Sequence, residues 1–345
     1  MIAFHTHEIE QIKQTAIEAE RNKRLPQSVL ELLYKYKLLK LFVPKELGGA
    51  EATLPQALAV FENCSYIDGT LGWMAAIGSG GNYFTGYYSE ETAQKLFSAE
   101  NAVLAGSGHV GTAKKTNGGY TINGSWKYCS GTGIATFFTV SATDENGEIK
   151  AFTLTPEQVN VLQDWDAFGL KATESNSIQV TDAFVPDELV FDLSKPQLSY
   201  NHYKVYSFPF TLFAQYSFGA VVLGLYRSFV EEAEKYAKQH ADNSERSKTI
   251  NQLLNKARIS VDKHAAAFHK SAQATWDAHI SGTGIGEALM IEGAETVLAI
   301  SAWVPQITTN IFSHLGMTAL MEKQQLNRVY RNLLTANQHI LLRKY

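Results

Sequence analysis

Gly118-Gly119-Tyr120-Thr121-Ile122-Asn123-Gly124-Ser125-Trp126-Lys127-Tyr128-Cys129-Ser130-Gly131 is the stretch that decides the fold of this chain. It is typical of a tight hairpin turn that leads into a β-strand. Gly-Gly and Asn-Gly supply the positive φ angles that short hairpin turns need. The strand ends in a small hydroxyl residue beside a glycine, Ser130-Gly131, and this end is the first candidate site.

Outward from the hairpin, residues 101–195 show the alternation of short strands. Phe138 and Val140 alternate with polar neighbours, and so do Ile178 and Val180. Asn-Gly and proline interrupt the runs, as in a small antiparallel β-barrel or sandwich. The sequence therefore predicts a middle β domain over 101–195.

Both flanks carry a helical period. In residues 1–100, a helix is predicted from Pro55 to Tyr66, another starts at Ser89, and glycine-rich loops cover 43–49 and 78–82. From 196 to 345, long apolar stripes predict an antiparallel helical bundle. Blocks of helices, strands and helices predict an α+β multidomain chain rather than a βαβ nucleotide fold. There is no Gly-x-Gly-x-x-Gly after a strand and no P-loop.

Composition narrows the function classes. Of 345 residues, 45% are hydrophobic and 19% charged, with a net charge of −4, so a sizeable core is expected and nucleic acid is not. Two cysteines make no disulfide framework, and no Cys/His spacing predicts a metal site. No signal peptide or membrane span is evident, which favours a soluble, cytoplasmic protein.

Four segments in order carry a resemblance to a known family. They are the loop Val43 to Gly49, the hairpin ending at Ser130-Gly131, the segment Trp165 to Pro186, and the late helix around Asn327 to Asn332. Together with the helix–strand–helix order, they resemble the acyl-CoA dehydrogenase superfamily. The resemblance covers the whole chain and implies its three-domain fold.

This resemblance implies a flavin, FAD or FMN, between the β domain and the bundle. A flavin needs a flat apolar wall and a few hydrogen-bond donors. The cofactor-binding candidates are Ser130, Gly131, Trp126, Trp165, Thr173, Ser175, Arg246, Gln252 and Arg331. In the alternative interpretation, Trp126 and Tyr128 are cross-strand packing residues and Ser130 simply ends a strand. Arg246 and Gln252 lack the Phe-Gly that accompanies them in many family members, which leaves FAD against FMN open.

The chain departs from the dehydrogenases at their catalytic base. No acid stands near Ile340, where the carboxylate would be, and an aliphatic side chain cannot accept a proton. His339 stands there instead, which is similar to the flavin-dependent hydroxylase branch. The resemblance implies that Ser130 and His339 are catalytic, with Asn82 and His109 as pocket candidates. The alternative for His339 is a solvated polar helix face shared with Arg328 and Asn332.

Three functions follow in order of preference. The first is a flavin-dependent oxidoreductase that uses reduced flavin and oxygen on a small organic substrate, with a separate flavin reductase as partner. The second is an acyl-CoA dehydrogenase that desaturates a thioester. The third is a relative without catalysis that keeps the fold as a binding module.

The bundle also predicts self-association. The segment from Met290 to Leu320 is apolar on more than one side, and a helix apolar nearly all round must be buried. One chain alone would expose a large patch, which soluble monomers rarely do. A homodimer or homotetramer is therefore expected.

Overall fold

The computed structural model describes residues 4–196, 199–242 and 244–344. Five helices come first: α1 Thr6–Asn22, α2 Gln27–Lys35, α3 Leu54–Ile67, α4 Gly69–Gly80 and α5 Glu90–Phe97. Seven strands follow: β1 Leu104–Thr116, β2 Gly119–Cys129, β3 Phe137–Thr143, β4 Ile149–Leu154, β5 Asn160–Val161, β6 Asn176–Pro186 and β7 Val190–Phe191. The last helices are α6 Phe210–Gln239, α7 Glu245–Ile280, α8 Glu287–His314 and α9 Gln325–Ala336. The predicted order of helices, strands and helices is confirmed, while the boundaries at 100 and 195 stay predictions.

The amino-terminal helices follow local signals with one exception. Thr53 caps α3 through a capping box, and Ser89 caps α5. The predicted glycine-rich loop at 78–82 is wrong, because α4 runs through Gly80. A Cβ at Gly72 would lie 1.9 Å from Ser65 Oγ, and one at Gly78 would lie 2.5 Å from Leu39. These glycines let α4 pack closely against α3 and against the turn at Leu39, and they do not make a turn themselves.

The middle domain is one seven-stranded sheet in the order β5-β6-β2-β1-β3-β4-β7. The predicted hairpin joins β1 and β2 with Gly118 at φ +75. Strand β3 pairs with the other edge of β1 and runs parallel to it, so the sheet is mixed rather than wholly antiparallel. The loop that connects β2 to β3 crosses the amino end of β1, and this crossing loop begins at Ser130.

The sheet wraps around its own core. Trp126 is fully buried there beside Phe138 and Phe152, and its indole N–H donates to the Ser141 carbonyl at 2.9 Å. A Cβ at Gly111 would lie 2.3 Å from the Trp126 ring, so this glycine makes room for the indole. Trp126 therefore packs the domain interior.

The carboxy-terminal helices pack around α6, which is buried over most of its length. Helix α6 contacts α3 closely at Gly224, where a Cβ would lie 2.1 Å from the Glu62 carbonyl oxygen. On the other side, the rings of Phe312 in α8 and Tyr330 in α9 stack at 4.1 Å. The bundle thus packs α6 against the amino-terminal helix α3 and joins α8 to α9.

The close approach of α6 to α3 predicts a stability effect. Gly224→Ala places a methyl group on the Glu62 carbonyl, and overpacking of this kind costs about 1–3 kcal/mol. Urea unfolding should show this loss of free energy. Gly80→Ala in α4 is the control, because a Cβ there meets no atom within 4 Å and the backbone of Gly80 is helical. Equal stability of the two variants would contradict the packing described.

Candidate active site

Two loops are joined by hydrogen bonds around Ser130. Gly131, at φ +82, donates its N–H to the Thr173 carbonyl at 2.8 Å. The Thr132 hydroxyl donates to the Glu174 carbonyl at 2.8 Å and accepts from Asn176 Nδ2 at 2.9 Å. The crossing loop after β2 is therefore fixed to the segment before β6, and Ser130 has a defined position.

The hydroxyls of Ser130, Ser175 and Thr173 form a chain with a fixed direction. The Thr173 hydroxyl donates to the Leu170 carbonyl at 2.9 Å, which uses its only proton. Ser175 therefore donates to Thr173 at 2.6 Å, and Ser130 donates to Ser175 at 2.7 Å. Trp73 Nε1 donates to Ser130 Oγ at 3.0 Å. One lone pair of the Ser130 oxygen is left for a ligand, so Ser130 presents an acceptor.

Trp73 brings Ser130 and His339 to the same place. The Trp73 ring stacks on Phe218 at 5.5 Å and lies 6.2 Å from the His339 ring. His339 stacks on Phe218 at 3.7 Å. The two residues predicted to be catalytic thus share the neighbour Trp73, which the sequence analysis did not single out.

His339 is held uncharged. Its Nδ1 accepts the Leu341 N–H at 3.3 Å, which puts the ring proton on Nε2. Burial lowers the pKa of His339 to about 4, because the charged form loses its hydration. The solvated-face interpretation is wrong: α9 ends at Ala336, before His339, and Arg328 and Asn332 are buried.

Helix α9 docks on the loop before Thr173 through polar groups. Arg331 pairs with both oxygens of Glu20, at 2.7 and 3.0 Å, and donates to the Phe168 carbonyl at 3.0 Å. Asn332 Oδ1 accepts the Leu170 N–H at 2.7 Å. The prediction that Arg331 binds the cofactor is corrected, because its buried guanidinium is committed to joining α1, α9 and this loop.

Tyr128 and Trp165 form the aromatic wall of the site, and the prediction that Trp126 binds the cofactor is wrong. Full burial inside the sheet denies Trp126 to any ligand. The register shift between Trp126 and Cys129 puts Tyr128 at φ +64, with 63% of its surface exposed. The centre of its ring lies 6.4 Å from that of Trp165 and 5.9 Å from that of His109, and both pairs are T-shaped. Strand alternation alone does not show such a bulge, so the sequence pattern does not separate Tyr128 from Trp126.

The remaining candidates lie apart from Ser130. Asn82 is 1% exposed, and within the described residues its Oδ1 accepts no hydrogen bond. His109 is exposed beside Tyr128, on the sheet side. Arg246 donates to the His314 and Leu315 carbonyls at 2.7 and 2.8 Å and so caps α8, while Gln252 is exposed on α7. Among the residues described, no hydrogen bond joins these four to Ser130.

The site fits a planar heteroaromatic group such as a flavin. Ser130 keeps a lone pair free, Tyr128 and Trp165 offer aromatic surface, and a Cβ at Gly108 would meet no atom within 4 Å. A flavin needs this combination of apolar wall and few polar contacts. Within the described ranges, no group of three His, Cys, Asp or Glu side chains is placed to hold a metal.

Comparison with known families identifies the fold. Residues 5–99 match the model of the acyl-CoA dehydrogenase N-terminal domain, and residues 216–344 match that of the acyl-CoA dehydrogenase C-terminal domain. The chain belongs to the acyl-CoA dehydrogenase superfamily, as the sequence predicted.

Curated relatives extend over nearly the whole chain. Indole-3-acetate monooxygenase of Pseudomonas putida is 24% identical, covering 94% of this chain and 86% of the relative. The oxygenase subunit HsaA of a flavin-dependent monooxygenase from Rhodococcus jostii is also 24% identical, covering 93% and 89%. Both names match the hydroxylase branch that the sequence resembles.

Solved structures share the fold at low identity. The 3-HSA hydroxylase from Rhodococcus sp. RHA1 has a TM-score of 0.89 at 19% identity, covering 96% of this chain and 90% of that one. XiaF from Streptomyces sp., in complex with FADH2, has a TM-score of 0.85 at 21% identity, and the match covers 97% of this chain and 91% of that one. TdsC from Paenibacillus sp., in complex with FMN and indole, has a TM-score of 0.81 at 20% identity, and the match covers 97% of this chain and 92% of that one.

The environment of His339 predicts a pH dependence of stability. The pKa of about 4 in the folded chain lies below the ordinary 6.5, so the unfolded chain binds more protons between these values. Stability from this group is complete above pH 6.5 and falls as pH drops towards 4, by at most about 1.4 kcal/mol per pH unit.

NMR titration of the His339 ring measures this directly, with the denatured chain as reference. His339→Gln should flatten the acid side of the stability curve. A ring that titrates near 6.5 in the folded protein would contradict the burial described.

Proposed function

We propose that this protein is the oxygenase component of a two-component flavin-dependent monooxygenase. It takes a reduced flavin from a separate reductase and uses oxygen to hydroxylate or oxidise a small organic substrate. The observation that carries the proposal is the joint placement of Ser130 and His339 against Trp73, with an aliphatic Ile340 where dehydrogenases have a base. The names of the relatives support it.

The bound flavin would supply the two electrons that activate oxygen, and the chain supplies position and polarity. Since the proton of Ser130 is directed to Ser175, the free lone pair of Ser130 can only accept a hydrogen bond. A reduced flavin ring carries an N–H donor at the N5 position, where the oxidised ring has an acceptor. The hydroxyl chain therefore favours the reduced flavin.

His339 provides a neutral donor. Its Nδ1 is occupied by the Leu341 N–H, so Nε2–H is the ring group left to donate to an oxygen atom beside His339. The pKa of about 4 means that His339 donates a hydrogen bond at neutral pH and carries no charge there. The stacked rings of Trp73 and Phe218 exclude water from one side of this donor.

The two alternatives are less well supported. A dehydrogenase needs a carboxylate base, and two acids of the bundle are engaged in ion pairs instead, Glu231 with Lys235 and Glu234 with Arg258. A non-catalytic binding module would not need the complete hydroxyl chain.

The buried, unpaired Cys64 and Cys129 support a cytoplasmic location.

Anaerobic titration tests the function. We expect reduced FMN or FAD to bind about tenfold more tightly than the oxidised form, since one matched hydrogen bond contributes about 1–1.5 kcal/mol. Mixing the reduced complex with oxygen and an aromatic substrate should then give an oxygenated product. The proposal fails if neither flavin binds in either redox state, or if an acyl-CoA reduces the bound flavin.

A matched pair of variants isolates the hydroxyl chain. Thr173→Val removes the acceptor that directs the Ser175 proton, so the preference for reduced flavin should narrow. Thr308→Val makes the same change in α8, where the hydroxyl is equally buried and donates to Val304, and should leave the preference unchanged. A loss of preference in both variants would show a general effect of the substitution.

We also propose that two copies meet through α8. By length and composition this helix is apolar enough to cross a membrane. Within its most apolar stretch, however, only 28% of the residues are buried by the rest of the chain. Ile291 is 51% exposed on its surface. A second copy of the bundle would cover such a face, as the predicted dimer or tetramer requires.

Light scattering after size exclusion measures the assembly. We expect two or four times the 38.2 kDa of one chain. Ile291→Glu should shift the mass towards one chain, because a charge buried in an apolar interface is costly. Ile149→Glu, on an equally exposed residue of β4, should not. A wild-type mass of 38.2 kDa would refute the assembly.

A further inference from the structure

Helix α8 contains a proline, which removes one backbone hydrogen bond from the helix. Pro305 lies inside α8 and has no N–H to donate. The carbonyl of Ser301, four residues earlier, therefore lacks the donor that an α-helix normally supplies. Ser301 is fully buried, so solvent does not replace that donor. Since a buried carbonyl without a partner is costly, the helix needs a donor from elsewhere in the chain.

Asn337, at the end of α9, supplies this donor. Its Nδ2 donates to the Ser301 carbonyl at 2.8 Å, and Asn337 is fully buried as well. Among the described residues, Asn337 Oδ1 has no hydrogen-bond partner, so the amide is held there through Nδ2. The proline in α8 and the asparagine in α9 therefore belong together: one leaves a carbonyl open and the other closes it.

A second contact shows that α9 lies along α8. The Tyr330 hydroxyl donates to Thr309 Oγ1 at 3.0 Å, and the Tyr330 ring stacks on Phe312 at 4.1 Å. The start of α9 thus lies beside the end of α8, and the end of α9 lies beside Ser301. The bond from Asn337 is placed at the last turn of α9, where a helix otherwise frays.

The segment that carries His339 is held from both sides. Before it, Asn337 ties the end of α9 to α8. After it, the Leu341 carbonyl accepts from Gln215 Nε2 of α6 at 3.3 Å. The N–H of His339 donates to the Ala336 carbonyl at 3.3 Å, so His339 follows the end of α9 directly. A displacement of that end would therefore displace the His339 ring.

We propose that Asn337 is a positioning residue for His339. By closing the carbonyl that Pro305 leaves open, Asn337 fixes the end of α9. The ring of His339 is thereby held against Phe218 and Trp73. The inference rests on the proposed function, because the neutral ring of His339 is a hydrogen-bond donor in that reaction. Asn337 acts through His339 and takes no part in the chemistry itself.

NMR titration of the His339 ring in the full-length, flavin-free protein tests the positioning without catalysis. Asn337→Leu keeps a branched side chain and removes the donor. We expect the pKa of His339 to rise from about 4 by about one unit towards the ordinary 6.5, because the ring is less firmly held in its buried contacts. Asn337→Ser, which keeps a shorter donor, gives a smaller shift and serves if the leucine variant is insoluble.

Pro305→Ala separates this pairing from a general loss of packing. It returns an N–H to the Ser301 carbonyl within α8, so Asn337→Leu no longer leaves that carbonyl open. In the Pro305→Ala background we expect less than half of the His339 shift. Thr308→Val is the control, because it removes an equally buried hydrogen bond one turn along α8 and should leave the pKa of His339 near 4.

An unchanged pKa of His339 in both Asn337 variants, an equal shift with and without Pro305→Ala, or the same shift in Thr308→Val would each overturn the proposal. If the proposed function holds, Asn337→Leu also lowers the amount of oxygenated product formed per reduced flavin consumed. The proposed function fails separately, in the flavin titration. A protein that binds no flavin but shows the expected shifts keeps the positioning and loses the reaction.

Discussion

The contact between α9 and the loop 168–170 is the constraint on which the site depends. A Cβ at Gly169 would lie 2.3 Å from the backbone of Arg331, so helix and loop touch directly. Around this contact, Arg331 bridges Glu20 and Phe168, and Asn332 holds the Leu170 N–H. A buried ion pair of this kind is costly to break from one side, because the remaining charge is left without a partner. Three parts of the chain that are far apart in sequence are thereby fixed together.

The backbone after that contact adopts conformations that a free chain avoids. Leu170 and Glu174 have φ +52 and +44 without being glycines. Residues with such angles persist where their surroundings hold them, and sites of function are common places for them. Here the Leu170 carbonyl, turned by this conformation, accepts from both Trp165 Nε1 and Thr173. The direction of the hydrogen bonds along Thr173, Ser175 and Ser130 is therefore set at Leu170, a strained residue that α9 holds in place.

Local patterns made much of the fold predictable. The hairpin turn, the helix caps and the apolar stripes depend on neighbours a few residues apart, and they were found where expected. Ser130, Thr173 and Ser175 came from the resemblance to the family, and the structure brings their hydroxyls together. Trp73 was missed because an apolar residue in a helix has no local sign of a hydrogen bond to a residue 57 positions away. Trp126 and Tyr128 could not be told apart from the sequence, because a β-bulge changes which face a side chain takes and periodicity does not reveal the extra residue. The roles of Arg331 and Arg246 could not be read from the sequence for a common reason: a guanidinium that binds protein carbonyls or a carboxylate looks the same in sequence as one that binds a ligand.

The position of Trp73 has a consequence for how the protein can be observed. The single indole of Trp73 contacts Ser130, His339 and Phe218. Indole emission responds to its hydrogen bond and to the rings stacked on it, so we expect a molecule that binds beside Ser130 to change the light that Trp73 emits. Trp165 also lies in the candidate site, so replacing Trp73 by phenylalanine is needed to identify the share of the signal that comes from Trp73. The enzyme therefore carries its own optical reporter at the point where cofactor, oxygen and substrate would meet.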